Sequence, residues 1–147
     1  MRKKWFGVFV LAAMMLFCAV ASAEGMTYRE YPISATFVVT ADTNTSVSES
    51  IDVKNGDYIK VVLYASGGTG YAWTLATQNP LLVETVGSST APVEGTEKLT
   101  GGKVRWVYYL KMKAEASGQE TLQFVLSRSW EKNVPPARSF DLTLVVR

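Results

Sequence analysis

The chain predicts an all-β fold, an antiparallel sandwich of seven or eight strands. Three observations predict it. Apolar and polar residues alternate along several stretches, turn signals recur between them, and no segment carries a convincing helical period. The alternation is clearest in KVRWVYYLKMK. Val104, Trp106, Tyr108, Leu110 and Met112 fall on one face there, and Lys103, Arg105, Val107, Tyr109, Lys111 and Lys113 on the other. A strand with one apolar face must lay that face against an opposing sheet.

The elements follow in order. Residues 1–23 read as a secretory signal peptide: a basic cap of Arg2, Lys3 and Lys4, an apolar run from Trp5 to Val20, and Ala21-Ser22-Ala23 as a small-residue exit. A membrane anchor is the competing reading, because Trp5 to Ala23 is nearly long enough to span. Cys18 admits a lipoprotein, against which Phe17 is bulky for the residue before it. Residues 24–147 are then one mature domain, expected to be periplasmic or secreted. Glu24 to Pro32 reads as a loose arm and Ile33 to Thr40 as a strand. ADTNTSVSES, rich in Thr and Ser, is a loop or a weak edge; Ile51 and Val53 then lead into a turn at Lys54-Asn55-Gly56-Asp57.

YIKVVLYAS, from Tyr58, places Ile59, Val61 and Leu63 on one face of a strand. Tyr71, Trp73 and Leu75 alternate after a glycine break, and Leu81 to Val86 is a short strand after the Asn79-Pro80 turn. Residues 87–102 read as a long polar connection, and the strand at 103–113 follows. Leu122, Phe124 and Leu126 alternate beyond a turn at Gly118. SRSWEKNVPPARS interrupts with two prolines, which forbid a central strand there. Phe140, Leu142, Leu144 and Val146 close the series. Trp73 and Trp106, on alternating strands, are candidates to fill the space between sheets.

Charge and composition exclude whole classes of function. Three of the fifteen basic residues leave with the leader, so twelve basic and thirteen acidic residues remain, a formal charge of −1. Without a basic field, nucleic acid is not an expected partner. Histidine is absent, and Cys18 is the one cysteine. That removes histidine-dependent triads, Cys-His pairs and histidine metal sites, so neither cofactor nor metal is expected. Paired carboxylates remain for acid–base work, and Asp52 and Asp57 are the pair to weigh. They flank the Asn55-Gly56 signal, which favours solvated turn residues over an enzyme.

Three interruptions each join two strong strands: Ser66 to Gly70, Leu99 to Gly102, and Arg128 to Lys132. Loops cluster at the two ends of a sandwich, so the first and third segments can share one, with the second a further candidate for it. A glycine tip is thin enough for a cleft that side chains would block. Thr69 adds a hydroxyl, and Tyr71 is placed to brace the tip from below. Trp130 lies in a polar loop, and burying an indole removes about 150–250 Å² from water. At about 25 cal/mol per Å², that is a gross 4–6 kcal/mol or so before ordering costs. Arg128 beside it offers a hydrogen-bonded contact. The bland counterparts are plain glycine turns and a tryptophan folded back as a plug.

In order and spacing, the three segments resemble the signature loops of the chagasin-like inhibitors of papain-family cysteine proteases. The family's first motif is Asn-Pro-Thr-Thr-Gly-Tyr or Phe, with Trp two residues beyond its end; here it reads Ser66-Gly67-Gly68-Thr69-Gly70-Tyr71, with Trp73 after Ala72. The second, Gly-x-Gly-Gly, is matched by Leu99-Thr100-Gly101-Gly102, and the third, Arg-Pro-Trp, by Arg128-Ser129-Trp130. The resemblance implies an immunoglobulin-like sandwich and reversible, non-covalent inhibition by three loops at one end. It implies that Gly68, Thr69, Gly70 and Tyr71 belong to the tip inserted near the protease thiol, with Trp73 supporting it. It further implies that Gly101, Gly102, Arg128 and Trp130 grip the cleft walls, in a monomer with a papain-family protease as partner. Both motif prolines are replaced, by Gly67 and Ser129, and Leu99 stands where a glycine would. Looser loops, and weaker or retuned inhibition, are the expectation. The alternative function is a non-inhibitory envelope or secreted binding module on the same sandwich; an enzyme ranks last.

Overall fold

The computed structural model describes residues 30–41, 46–96, 98 and 101–147. The leader, Glu24–Arg29 of the arm, and Leu99 and Thr100 of the second motif lie outside the described residues.

Among the described residues, eight strands form two four-stranded sheets and no helix occurs. In the first sheet, β1 (Ile33–Val39), β3 (Tyr58–Ser66), β6 (Lys103–Met112) and β5 (Val83–Pro92) lie side by side in that order. In the second, the order is β2 (Val47–Val53), β8 (Arg138–Val146), β7 (Gln119–Ser127) and β4 (Ala72–Leu75). The alternating residues face inward: Ile59, Val61, Leu63, Leu110, Met112, Leu122, Phe124, Phe140, Leu142 and Leu144 are all buried in one core cluster. Trp73 is its largest fully buried side chain, at 1% exposure. Its indole N–H donates to the Tyr64 carbonyl at 3.1 Å, so the polar edge of the ring is satisfied. Trp106, the other candidate, is half-buried at the margin of the core.

The β-sandwich is mixed where a wholly antiparallel one was expected. β1 pairs with β3, and β2 with β8, in parallel. β1 and β2 are consecutive in the chain but lie on edges of different sheets. Neither therefore meets its partner through a hairpin, the connection that enforces antiparallel pairing.

Other local differences have physical reasons. β5 runs on to Pro92, where the sequence reads as connection from residue 87. Gly87 to Pro92 pair with Tyr109 to Val104, past a register shift between Thr85 and Gly87. As an edge strand it leaves Ser88, Ser89 and Thr90 exposed, so its second half needs no apolar alternation. The described part of the arm is docked: Tyr31 stacks on Tyr58 at 5.4 Å, and its hydroxyl donates to the Val86 carbonyl at 2.9 Å.

Asp57 closes the turn at residues 54–57, its carboxylate accepting the Lys54 N–H at 2.8 Å. Asp52 lies in β2 and pairs with Arg147 at 3.0 Å on the surface. Each carboxylate thus has a structural occupation.

Strand directions decide which loops meet. β3, β5, β7 and β1 finish at one end of the sandwich; β4, β6, β8 and β2 begin there. The first loop (residues 67–71), the second (93–102) and the third (128–137) therefore all leave the same pole.

Candidate functional site

The first loop carries the chain from β3 in one sheet to β4 in the other. Gly68 and Gly70 sit at φ +73° and +78°, the left-handed region that side chains disfavour, and together they reverse the backbone within a few residues. The Thr69 hydroxyl holds the reversal, donating to the Ser66 carbonyl at 3.1 Å and accepting the Tyr71 N–H at 3.4 Å. Gly68, Thr69 and Gly70 are exposed. Tyr71 is half-buried and packs on the core from below.

The second loop leaves β5 through a turn with Gly95 at φ +82°, closed by the Thr96 N–H donating to the Val93 carbonyl at 3.1 Å. The Thr96 hydroxyl clamps the neck: it donates to Val93 O at 2.7 Å and accepts the Lys103 N–H at 3.1 Å. Gly101, at φ +78°, and Gly102 bring the chain back into β6. The Gly102 carbonyl accepts the Gly67 N–H at 2.5 Å, which joins the second loop to the first.

The third loop opens with a turn over residues 128–131, closed by the Glu131 N–H to the Arg128 carbonyl at 3.2 Å. Arg128 is the hub. Its Nε donates to the Thr69 carbonyl at 2.9 Å, and one terminal nitrogen meets Glu131 Oε1 at 3.1 Å. Its guanidinium lies 4.3 Å from the Tyr71 ring centroid, within cation–π range. Trp130 rests on Gly70, so closely that a Cβ at Gly70 would collide with the indole Cη2. Yet Trp130 is 65% exposed, so it leans on the tip without being buried as a plug.

The structure therefore gathers Gly68, Thr69, Gly70, Tyr71, Gly101, Gly102, Arg128 and Trp130 at one pole, with Trp73 in the core beneath. Three roles are not legible in the sequence: Thr96 at the neck of the second loop, Glu131 as partner of Arg128, and Gly67 as the contact between loops. The pattern Val93-Glu94-Gly95-Thr96 signals a turn around the first, but not its bonds. The others depend on contacts between segments distant in sequence. Among the described residues, no group of three or more His, Cys, Asp or Glu side chains is placed to hold a metal.

A β-sandwich that presents a thin glycine tip, an exposed indole and a cross-linked set of loops at one end belongs to the class of loop-presenting binding proteins. The chain belongs to the family described as "Chagasin family peptidase inhibitor I42", which it matches over residues 52–144, a span that includes all three loops. No curated protein sequence matches it significantly. Among solved structures, it is similar to the cysteine protease inhibitor EhICP2 from Entamoeba histolytica. That likeness has a TM-score of 0.60 and 22% identity, over 77% of this chain and 96% of the other. It is also similar to PbICP-C, solved in complex with falcipain-2, with a TM-score of 0.51 and 18% identity over 77% of this chain and 99% of the other. These two likenesses concern the fold.

Proposed function

We propose that this peptidase inhibitor acts on papain-family cysteine proteases, reversibly and without a covalent bond, by lodging the three-loop pole in the active-site cleft. The observation that carries the reading is the convergence of Thr69, Gly70, Arg128 and Trp130 into one braced, exposed wedge. Family membership supports it, and so does the complex that the structurally similar PbICP-C forms with falcipain-2.

The geometry suits blockade. The tip Gly68-Thr69-Gly70 carries no charge, so its burial costs no ion desolvation. A peptide substrate lies extended across a protease cleft, whereas Gly68 and Gly70 hold positive φ. The tip therefore fills the groove without offering an extended scissile bond. Gly101, Gly102 and Trp130 meet the walls, and Trp130 supplies the apolar anchor. The inhibitor acts as a monomer. The basic cap, apolar run and small-residue exit at residues 1–23 support an exported, periplasmic or secreted location.

The test is titration of several papain-type proteases with the purified protein. Saturable one-to-one inhibition, with the inhibitor recovered uncut, is expected. Activity untouched in every protease would leave only a binding module on this fold.

A further inference from the structure

A loop with glycine at three of four consecutive positions ought to be loose, because glycine loses the most backbone freedom on ordering. Both prolines of the family's motifs are also gone here, replaced by Gly67 and Ser129. The two positions nevertheless differ in what surrounds them.

Gly67 follows directly on the last pair of the β3–β6 ladder, Ser66 with Lys103. Its N–H reaches across to the Gly102 carbonyl at 2.5 Å, so the ladder gains one bond beyond the strands. A Cβ at Gly67 would stand 2.6 Å from that carbonyl oxygen and 3.2 Å from Val104 Cγ2. Real Cβ atoms do not approach backbone oxygen so closely, so the bond in this geometry needs glycine. A proline there would have a Cβ and no N–H. Ser129 is the second residue of the turn closed by Glu131 N–H to Arg128 O, a position that proline favours.

We infer that Gly67 is a positioning residue that fastens the first loop to the second through its amide, taking over the stiffening that a proline would provide. The inference rests on the inhibitory reading above. It reverses the simple expectation of loose loops: the brace is between loops, not within one. With Arg128 Nε on the Thr69 carbonyl from the other side, the tip is tied to both neighbours before any protease arrives. Much of the ordering cost of docking is thereby met in the free protein.

The test compares the unaltered protein with Gly67→Pro, Gly67→Ala and Ser129→Pro, by inhibition of papain, thermal melting, and amide hydrogen exchange of the unaltered free protein. The Gly67 amide should exchange at least about a hundredfold more slowly than an unstructured one. Gly67→Pro and Gly67→Ala should inhibit about tenfold or more weakly. Ser129→Pro should inhibit at least as well as the unaltered protein. A Gly67 amide exchanging at the unstructured rate, or a Gly67→Pro variant as potent as the unaltered protein, overturns the inference. Should the variants fail to fold, the exchange rate decides alone. Should the unaltered protein inhibit no papain-type protease, the inhibitory reading fails, and the exchange rate still decides whether the brace exists.

Discussion

Trp130 leans against Gly70 with no room for a side chain between them. The glycine that makes the tip thin thus also seats the exposed indole beside it. An alanine at Gly70 would have to hold φ near +78° and push the indole aside. Gly70→Ala should therefore weaken inhibition by about tenfold or more. Its melting temperature should fall by several degrees as well, because strain at positive φ costs about 1 kcal/mol or more even at an exposed residue. Inhibition constants and thermal melts of the two proteins check both statements.

Trp130→Ala separates binding from folding more sharply. The side chain is 65% exposed, so its loss should change stability by no more than about 0.5 kcal/mol. A buried aromatic anchor in an interface is commonly worth about 2 kcal/mol or more on truncation, and inhibition should weaken by that amount. Unchanged inhibition would remove Trp130 from the mechanism.

Arg128 holds three partners that a lysine cannot hold together: Thr69 O, Glu131 and the Tyr71 ring. Arg128→Lys should therefore weaken inhibition while keeping the charge. Glu131→Gln should do much less. The pair is about one-third exposed on each side, and such pairs contribute about 0.2–1 kcal/mol at most. Measuring the two variants side by side distinguishes a brace from a simple surface charge.

Trp73 should behave in the opposite way. Trp73→Phe removes the donor to Tyr64 O and leaves a void in the core. A loss of about 2–4 kcal/mol in unfolding free energy is expected, read by denaturant titration. Inhibition measured below the melting point should change less.

Tyr108 adds a pH dependence at the alkaline end. Its hydroxyl donates to the Trp73 carbonyl at 3.0 Å, and burial raises its pKa above the ordinary 10.0. The folded state then keeps a proton that the unfolded chain loses. This contribution is complete below pH 10 and disappears as pH rises through the folded value. Between pH 10 and the raised folded value, the melting temperature should fall more steeply in the unaltered protein than in Tyr108→Phe.

How much of this was legible in the sequence follows from where side chains report burial. β3, β6 and β8 announced themselves because each turns one face into the core, which imposes alternation; β3 and β6 also bury Val62 and Val107 on their other face, which the alternation alone did not show. The second half of β5 did not, since its serines and threonine face water on an edge. The parallel pairings of β1 and β2 also left no local trace, because a partner across the sheet imposes no pattern within the strand. In the site, the glycines, Arg128 and Trp130 stood out by composition. The bond from Gly67 to Gly102 did not, because it joins two backbones whose residues carry no side chain.

The central claim is that the wedge occupies the cleft where the protease thiol lies. Alkylation of papain's catalytic thiol, followed at rising concentrations of the purified protein, measures that occupancy directly. The account predicts that alkylation slows in step with inhibition and that Trp130→Ala shifts both to higher protein concentration together. Alkylation at the full rate under saturating protein would contradict it.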